Sequence, residues 1–235
     1  MNLLIFASGV LGAGLSLAGA FLAHMRLLAP MRGFILMLLG GLFGLVSVLA
    51  ALIAILWSAF SKRPISPALL RALPGLGVAL VFAVLFVRAR KYPPINDITT
   101  TPGAPPRFDR LAALAENARR DMSYPPAFAE IQKKAYPDLA PLESAWSPAE
   151  TFEKARAAAR SMPSWSVISE DAASGRLEAV AETFLFRFKD DLALEVRAAT
   201  SGSSLHMRSK SRDGRGDGGA NAKRIRDFLD KAGGN

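Results

Sequence analysis

Three long apolar runs without an acidic side chain open the chain, at residues 3–23, 33–60 and 69–87. A hydrocarbon layer about 30 Å thick needs roughly 20 residues of helix at a rise of about 1.5 Å each. The first two runs contain no ionisable group and predict transmembrane helices. The third holds Arg71 and Pro74 near its start. A long cationic side chain there reaches back to the interface, and a proline in the first turns removes few helical hydrogen bonds. Three spans are therefore predicted. Only Met1 and Asn2 precede the first run, so it lacks the basic leader of a signal peptide and is expected to remain as a helix. Ser8, Gly9, Gly12, Ala13, Ser16 and Gly19, then Gly40, Gly41 and Gly44, place small residues at spacings that let helix backbones approach, within the protein or between copies.

Beyond residue 91 the pattern changes to short periods. Prolines at 93, 94, 102, 105 and 106 mark a linker over residues 92–106. Residues 107–122 predict a helix with Phe108, Leu111, Ala115, Ala118 and Met122 on one stripe, ended by Tyr124-Pro125-Pro126. Ser147-Pro148-Ala149-Glu150 is a capping box that starts a second helix burying Phe152, Ala155, Ala159 and Met162. Four strands follow, at 165–169, 176–188, from Leu192 and at 205–212, with Lys189-Asp190-Asp191 as a polar turn. A closing helix opens at Asp217 or Gly218 and buries Ala222, Ile225, Leu229 and Ala232. The expected fold is α+β: a four-stranded antiparallel meander flanked by helices, over residues 92–235, after a three-helix transmembrane domain at 1–91. Residues from about Arg107 onward are expected to fold without the spans. In the long strand Leu177, Ala179 and Ala181 keep one parity and Phe184, Phe186 and Phe188 the other, which predicts a bulge or bend near Thr183.

Charge sharpens this division. All eight charged residues up to Lys91 are basic, and no Asp or Glu precedes Asp97. The formal +9 thus splits into +8 for residues 1–91 and +1 for the rest, so the basic excess marks membrane flanks rather than a nucleic-acid surface. Counting basic residues on the two sides gives five against three, a small preference for a cytoplasmic soluble half. No cysteine is present, which excludes disulfides, Cys-bound metals and thiol nucleophiles. Two histidines, His24 and His206, cannot build a multi-His metal centre, and no cofactor is expected.

The candidate chemistry lies near the C-terminus. His206, Arg208, Lys210 and Arg212 alternate and share one face of a strand. A glycine-rich loop then leads into a helix N-terminus, where Arg215 and the N–H groups of Gly218 and Gly219 could join them around an anion. The other reading is a solvated basic face balanced by Glu178, Glu182 and Glu195, with Asp217 capping the helix. Phe184, Phe186 and Phe188 are either core or an apolar groove. Asp190 and Asp191 read as a solvated turn, Asn96, Asp97, Thr99 and Thr100 as turn caps, and no catalytic constellation is visible, so an enzyme is not expected.

Pro93-Pro94-Ile95-Asn96-Asp97-Ile98-Thr99-Thr100, Ala135-Tyr136-Pro137-Asp138-Leu139, Phe188-Lys189-Asp190-Asp191 and Arg208-Ser209-Lys210-Ser211-Arg212 occur in this order. With the step Gly216-Asp217-Gly218-Gly219-Ala220-Asn221 into Lys223-Arg224-Ile225, they resemble domain-of-unknown-function family 1499 over roughly residues 92–235. The resemblance implies a fold and no reaction. It also implies export, which places the soluble half on the periplasmic face of a bacterial inner membrane, against the charge count. The role expected is a membrane-anchored accessory or assembly subunit, or a binding module. The alternative is a phospholipid- or amphiphile-binding protein that uses the phenylalanine-rich strand and the basic site. Expected partners are the bilayer and either another membrane protein or a second copy through the small-residue helix faces, not nucleic acid.

Overall fold

The computed structural model describes residues 1–234 and divides into two compact units. The first comprises residues 1–90 and 184–187, the second residues 91–183 and 188 onward.

The first unit contains α1 (Asn2–His24), α2 (Pro30–Phe60) and α3 (Ser66–Ala89). All three are long and apolar enough to cross a membrane. Their large side chains point outward, with Leu3, Leu17, Leu70 and Leu80 all exposed, whereas the small residues point inward. Gly19 packs on Gly33, Gly12 on Gly40 and Gly44, and Gly9 on Gly75. A Cβ on Gly19 would stand 2.4 Å from the Gly33 carbonyl oxygen, so these backbones touch because no side chain intervenes. Ser47 adds a hydroxyl donated to the Ile5 carbonyl at 2.7 Å. Small residues on α1 and α2 thus pack the protein's own helices.

The second unit is built on an antiparallel sheet. Its strands are β1 (Asp97–Thr99), β2 (Leu142–Ser144), β3 (Trp165–Asp171), β4 (Arg176–Glu182), β5 (Lys189–Ala199) and β6 (Gly202–Ser211). The order is β1-β6-β5-β4-β3, with β2 also paired to β6. The sheet therefore has six strands, not four. The expected meander is present as β3 to β6, and two three-residue strands cover its β6 edge, β1 on Arg208–Lys210 and β2 on Ser203–Leu205. An open edge of unpaired N–H and C=O groups is costly, and such short segments carry no alternation that a sequence pattern could reveal.

On one face lie α5 (Pro148–Ser161) and α6 (Ala220–Gly233). Phe152, Ala155, Ala159, Ile225 and Phe228 pack on Leu177, Leu192, Leu194, Leu205 and Met207 to form the core. The capping box forms as expected: the Ser147 hydroxyl accepts from the Glu150 N–H, and Glu150 accepts from the Ser147 N–H. Trp165 at the β3 edge stacks on Phe228, with centroids 5.3 Å apart.

Three local expectations are corrected. Residues 107–122 form successive turns and a 3-10 turn at Ala115–Asn117, not a helix. The buried Phe108 and Leu111 account for the apparent stripe. Here Asn117 takes the Leu111 carbonyl as its acceptor at 2.8 Å, and the N–H groups of residues 109–111 go to the Glu178 carboxylate, which holds the segment against the sheet. A helix absent from the sequence reading, α4, spans Phe128–Ala135. The long strand stops at Glu182, and residues 183–188 form a loop closed by Thr183 N–H to Phe188 C=O (2.8 Å) and by Phe188 N–H to the Thr183 hydroxyl (2.9 Å). Its change of parity is this loop, so the break expected near Thr183 is present as a bend and not as a bulge. The bulge lies in β3 between Val167 and Ser169, and Lys189-Asp190-Asp191 begins β5 rather than turning.

Candidate functional site

The face of the sheet away from α5 and α6 carries most of the polar chemistry. Alternation places Asp97 and Thr99 of β1, Ser204, His206, Arg208 and Lys210 of β6, Asp191 and Glu195 of β5, and Glu178 of β4 on it. Residues 100–127 cross this face as an irregular strap, with Phe108 and Leu111 seated against Ala193. Loops of this kind leave many backbone groups without partners. The charged side chains of the sheet supply those partners.

Asp97 is fully buried and takes two cations: Arg208 in a fork (2.9 and 2.7 Å) and Lys210 at 2.8 Å. Arg208 also donates to the Pro106 and Met122 carbonyls and lies under the Phe108 ring at 4.6 Å. Asp191, equally buried, accepts from Arg120 (2.6 Å), Asn117 (3.2 Å) and Arg212 (2.9 and 2.7 Å). Arg212 reaches on to Glu116, and its donation holds the Glu116 carboxyl below the usual carboxylate range against opposing desolvation. Glu178 accepts three strap N–H groups, from Asp109 (2.6 Å), Arg110 (3.3 Å) and Leu111 (2.6 Å). Each acidic centre ties a piece of strap to the sheet.

This geometry corrects the picture of an open basic face. Arg208, Lys210 and Arg212 do share a face, but their charges are neutralised from within by Asp97, Asp191 and Glu116. Buried cations of this kind need such partners. The N-terminus of α6 is likewise occupied. Asp217 accepts from the Gly219 N–H at 2.9 Å and the Asn221 N–H at 2.8 Å. Burial raises the Asp217 carboxyl above its ordinary range despite these two donors. Gly219 sits at φ 84° with the Tyr92 ring where its Cβ would be, which leaves no room for another residue. Gly218 and Arg215 are exposed and are not drawn into the cluster.

Asp190 and Asp191 diverge, as neighbours on a strand must. Asp191 meets the strap and Asp190 pairs with Arg224 of α6, so both are buried instead of solvated. Of the three phenylalanines, Phe184 and Phe186 fall in the helical unit and Phe188 in the other. Surface hollows in the second unit include the following two. One of about 590 Å3 lies beside Trp146 and Phe152, and one of about 340 Å3 is lined by Asp109, Glu170 and Arg176 among others. Among the described residues no cluster of three or more potential metal ligands occurs.

His206 is held between the Thr101 hydroxyl, 2.6 Å from Nδ1, and the Ser204 hydroxyl, 2.9 Å from Nε2. Desolvation lowers its pKa, the Arg197 charge adds to this, and Glu195 opposes it. The unfolded chain therefore binds the proton more readily than the folded one. Stability is full above the ordinary histidine value of 6.5 and falls as the pH drops through it toward the folded value. Between about pH 7 and pH 5, the urea midpoint of wild type is expected to fall more than that of His206→Gln. Equal slopes for the two would show that the imidazole takes no part.

Sequence reasoning singled out Arg208, Lys210 and Arg212 but missed their partners. In the sequence pattern Asp97 reads as a turn cap and Asp191 as a turn residue. A usable signal existed in Val180 and Ala193, apolar residues on the supposed solvent face, and in the apolar Phe108 and Leu111 that needed a surface to cover.

No curated protein and no solved structure matches the chain. A family model described as "Protein of unknown function (DUF1499)" matches residues 97–231, from the first residue of β1 into α6. The match takes in the whole sheet, the strap and the buried ion pairs between them, and the chain belongs to this family.

Proposed function

We propose that the protein is a membrane-anchored accessory or assembly subunit whose DUF1499 domain serves as a non-enzymatic binding module. The observation that carries this reading is the use of the domain's charged groups. Asp97, Glu178 and Asp191 and the cations around them are spent on one another and on strap backbone. Groups committed to buried pairs fix a shape and are poorly placed to take up and release protons in a reaction. Three apolar helices precede the domain, and residues 90–96 alone join α3 to β1, so membrane attachment is direct. We place the domain on the periplasmic side of a bacterial inner membrane. Support for this comes from the exported character that the family resemblance implies.

The phospholipid- or amphiphile-binding reading has less support. Its three cations are neutralised by Asp97 and Asp191, and its phenylalanines fall in different units.

The test is purification of the full chain from its native membrane in mild detergent, with co-purifying proteins and lipids both identified. A defined membrane-protein partner in fixed stoichiometry after size exclusion is expected. A C-terminal alkaline phosphatase fusion is expected to be active. A chain that elutes alone, or an inactive fusion beside a fluorescent cytoplasmic reporter, would overturn the respective part of the reading.

A further inference from the structure

The loop between β4 and β5 has a chemistry that the accessory role does not use. Residues 184–187 group with the three apolar helices. Arg187 donates from Nε to the carbonyl of His24, the last residue of α1, at 3.1 Å. That carbonyl has no partner within the helix, and a cation there also meets the negative end of the helix dipole. His24 Nδ1 lies 2.9 Å from the Phe184 carbonyl oxygen, and the two rings are 4.8 Å apart. Phe186 is buried edge-on against Phe34 in the first turns of α2, at 5.5 Å. The loop is thus pinned to the place where α1 ends and α2 begins.

Its remaining side chains are apolar and uncovered. Phe184 is 75% exposed and Leu185 48% exposed. The Arg187 guanidinium stands 5.9 Å from the Phe184 ring centroid, which gives the tip one aromatic body beside one cation. Close by in sequence to His24, Met25 and Leu27 are also exposed. An exposed aromatic at the terminus of a spanning helix sits at the depth where membrane proteins place their aromatic belts. Apolar tip, flanking cation and fixed depth together match the boundary between headgroups and acyl chains.

We propose that the tip of this loop, Phe184 and Leu185, is an interfacial membrane anchor that inserts into the bilayer on the side where α1 ends. The occupant is the lipid interface itself, continuous with the lipid around α1 and α2. The anchor is neither a pocket for one lipid nor a surface for a second protein. Phe186 and Arg187 serve it as positioning residues, one through Phe34 and one through the end of α1.

The natural chain contains no cysteine, so a single introduced thiol labels without background. Leu185→Cys and, separately, Phe184→Cys would be labelled with nitrobenzoxadiazole in the full chain, in vesicles of phosphatidylcholine and phosphatidylglycerol. Ser201→Cys, at the exposed turn between β5 and β6, is the reference. Labels at 184 and 185 are expected to emit to the blue of the label at 201. They should be quenched several-fold more by lipids carrying a shallow nitroxide, and several-fold less by aqueous iodide. Iodide quenching equal to that at 201 would overturn the proposal. Shielding from both quenchers would overturn it too, because protein and not lipid would then cover the tip. Using two sites on one loop keeps the result decisive if either substitution impairs folding.

Discussion

A fragment that starts at Arg107 is expected to show no cooperative melt, whereas one that starts at Lys91 is expected to unfold in a single transition. The sequence reading placed the start of the independent fold near Arg107, because the capped helix, the period-2 strands and the closing helix all lie beyond it. The structure moves that boundary. Ile95 and Ile98, ahead of the strap, are fully buried in the core. Loss of two such side chains removes about 1.5–3 kcal/mol each. Thr99 and Gln132 bond reciprocally, Thr99 N–H to Oε1 at 2.9 Å and Nε2 to Thr99 C=O at 2.7 Å, so α4 would lose its tie to the sheet. Removing Asp97 strands Arg208 and Lys210 as buried cations, an error of roughly 3–5 kcal/mol. Together these come to roughly 6–11 kcal/mol, comparable with the ~5–15 kcal/mol that holds an ordinary domain. Circular dichroism melts of the two fragments decide it. Cooperative unfolding of the shorter one near the temperature of the longer would mean that β1 is dispensable.

How far the fold was legible follows from the range of the forces involved. The apolar runs and the capping box are local signals and produced the helices expected, and the alternation located four strands without fixing all of their ends. The strap was misread because a helical stripe and a covering loop can place the same apolar residues on one side. What separates them is Glu178, some seventy positions away, whose carboxylate takes the N–H groups of Asp109, Arg110 and Leu111 and ties this segment to the sheet. The same distance problem affected the turn. Lys189-Asp190-Asp191 has turn chemistry when seen alone, yet Arg120, Arg212 and Arg224 supply the charges that let both aspartates lie inside. The phenylalanine parity was read correctly as a break. Its cause, a loop whose residues join the helices, could not be found within a strand pattern.

The candidate site repeats this lesson in charge. Alternating Arg208, Lys210 and Arg212 correctly predicted a shared face, but alternation cannot say whether water or protein lies over it. The answer was in the apolar residues of the same face and of the strap. Val180 and Ala193 would be idle on a solvated surface, and they become the seat for Phe108 and Leu111 once the strap is in place. Asp97, through Arg208, and Asp191, through Arg120, tie to the sheet a segment with little regular structure of its own.

Asp97→Asn is therefore expected to destabilise the Lys91 fragment by about 3–5 kcal/mol. Asparagine keeps the size and an acceptor oxygen but removes the charge shared by Arg208 and Lys210, whose side chains are 2% and 10% exposed. Neither cation can turn to solvent without lifting the strap, because Arg208 is also bonded to the Pro106 and Met122 carbonyls. The exposed pair between Glu153 and Arg156 on α5 is the internal control, and Glu153→Gln is expected to cost no more than about 0.5 kcal/mol. The two mechanisms separate further in combination. If the loss from Asp97→Asn comes from stranded charge, then Asp97→Leu with Arg208→Met and Lys210→Met should recover most of it, because an apolar replacement leaves nothing uncompensated. If the loss came from β1 pairing alone, the triple variant would be no better than the single one. Urea unfolding of the four proteins measures this directly. A cost below about 1 kcal/mol for Asp97→Asn would show that water reaches Arg208 and Lys210 and that the ion pairs do not hold the strap.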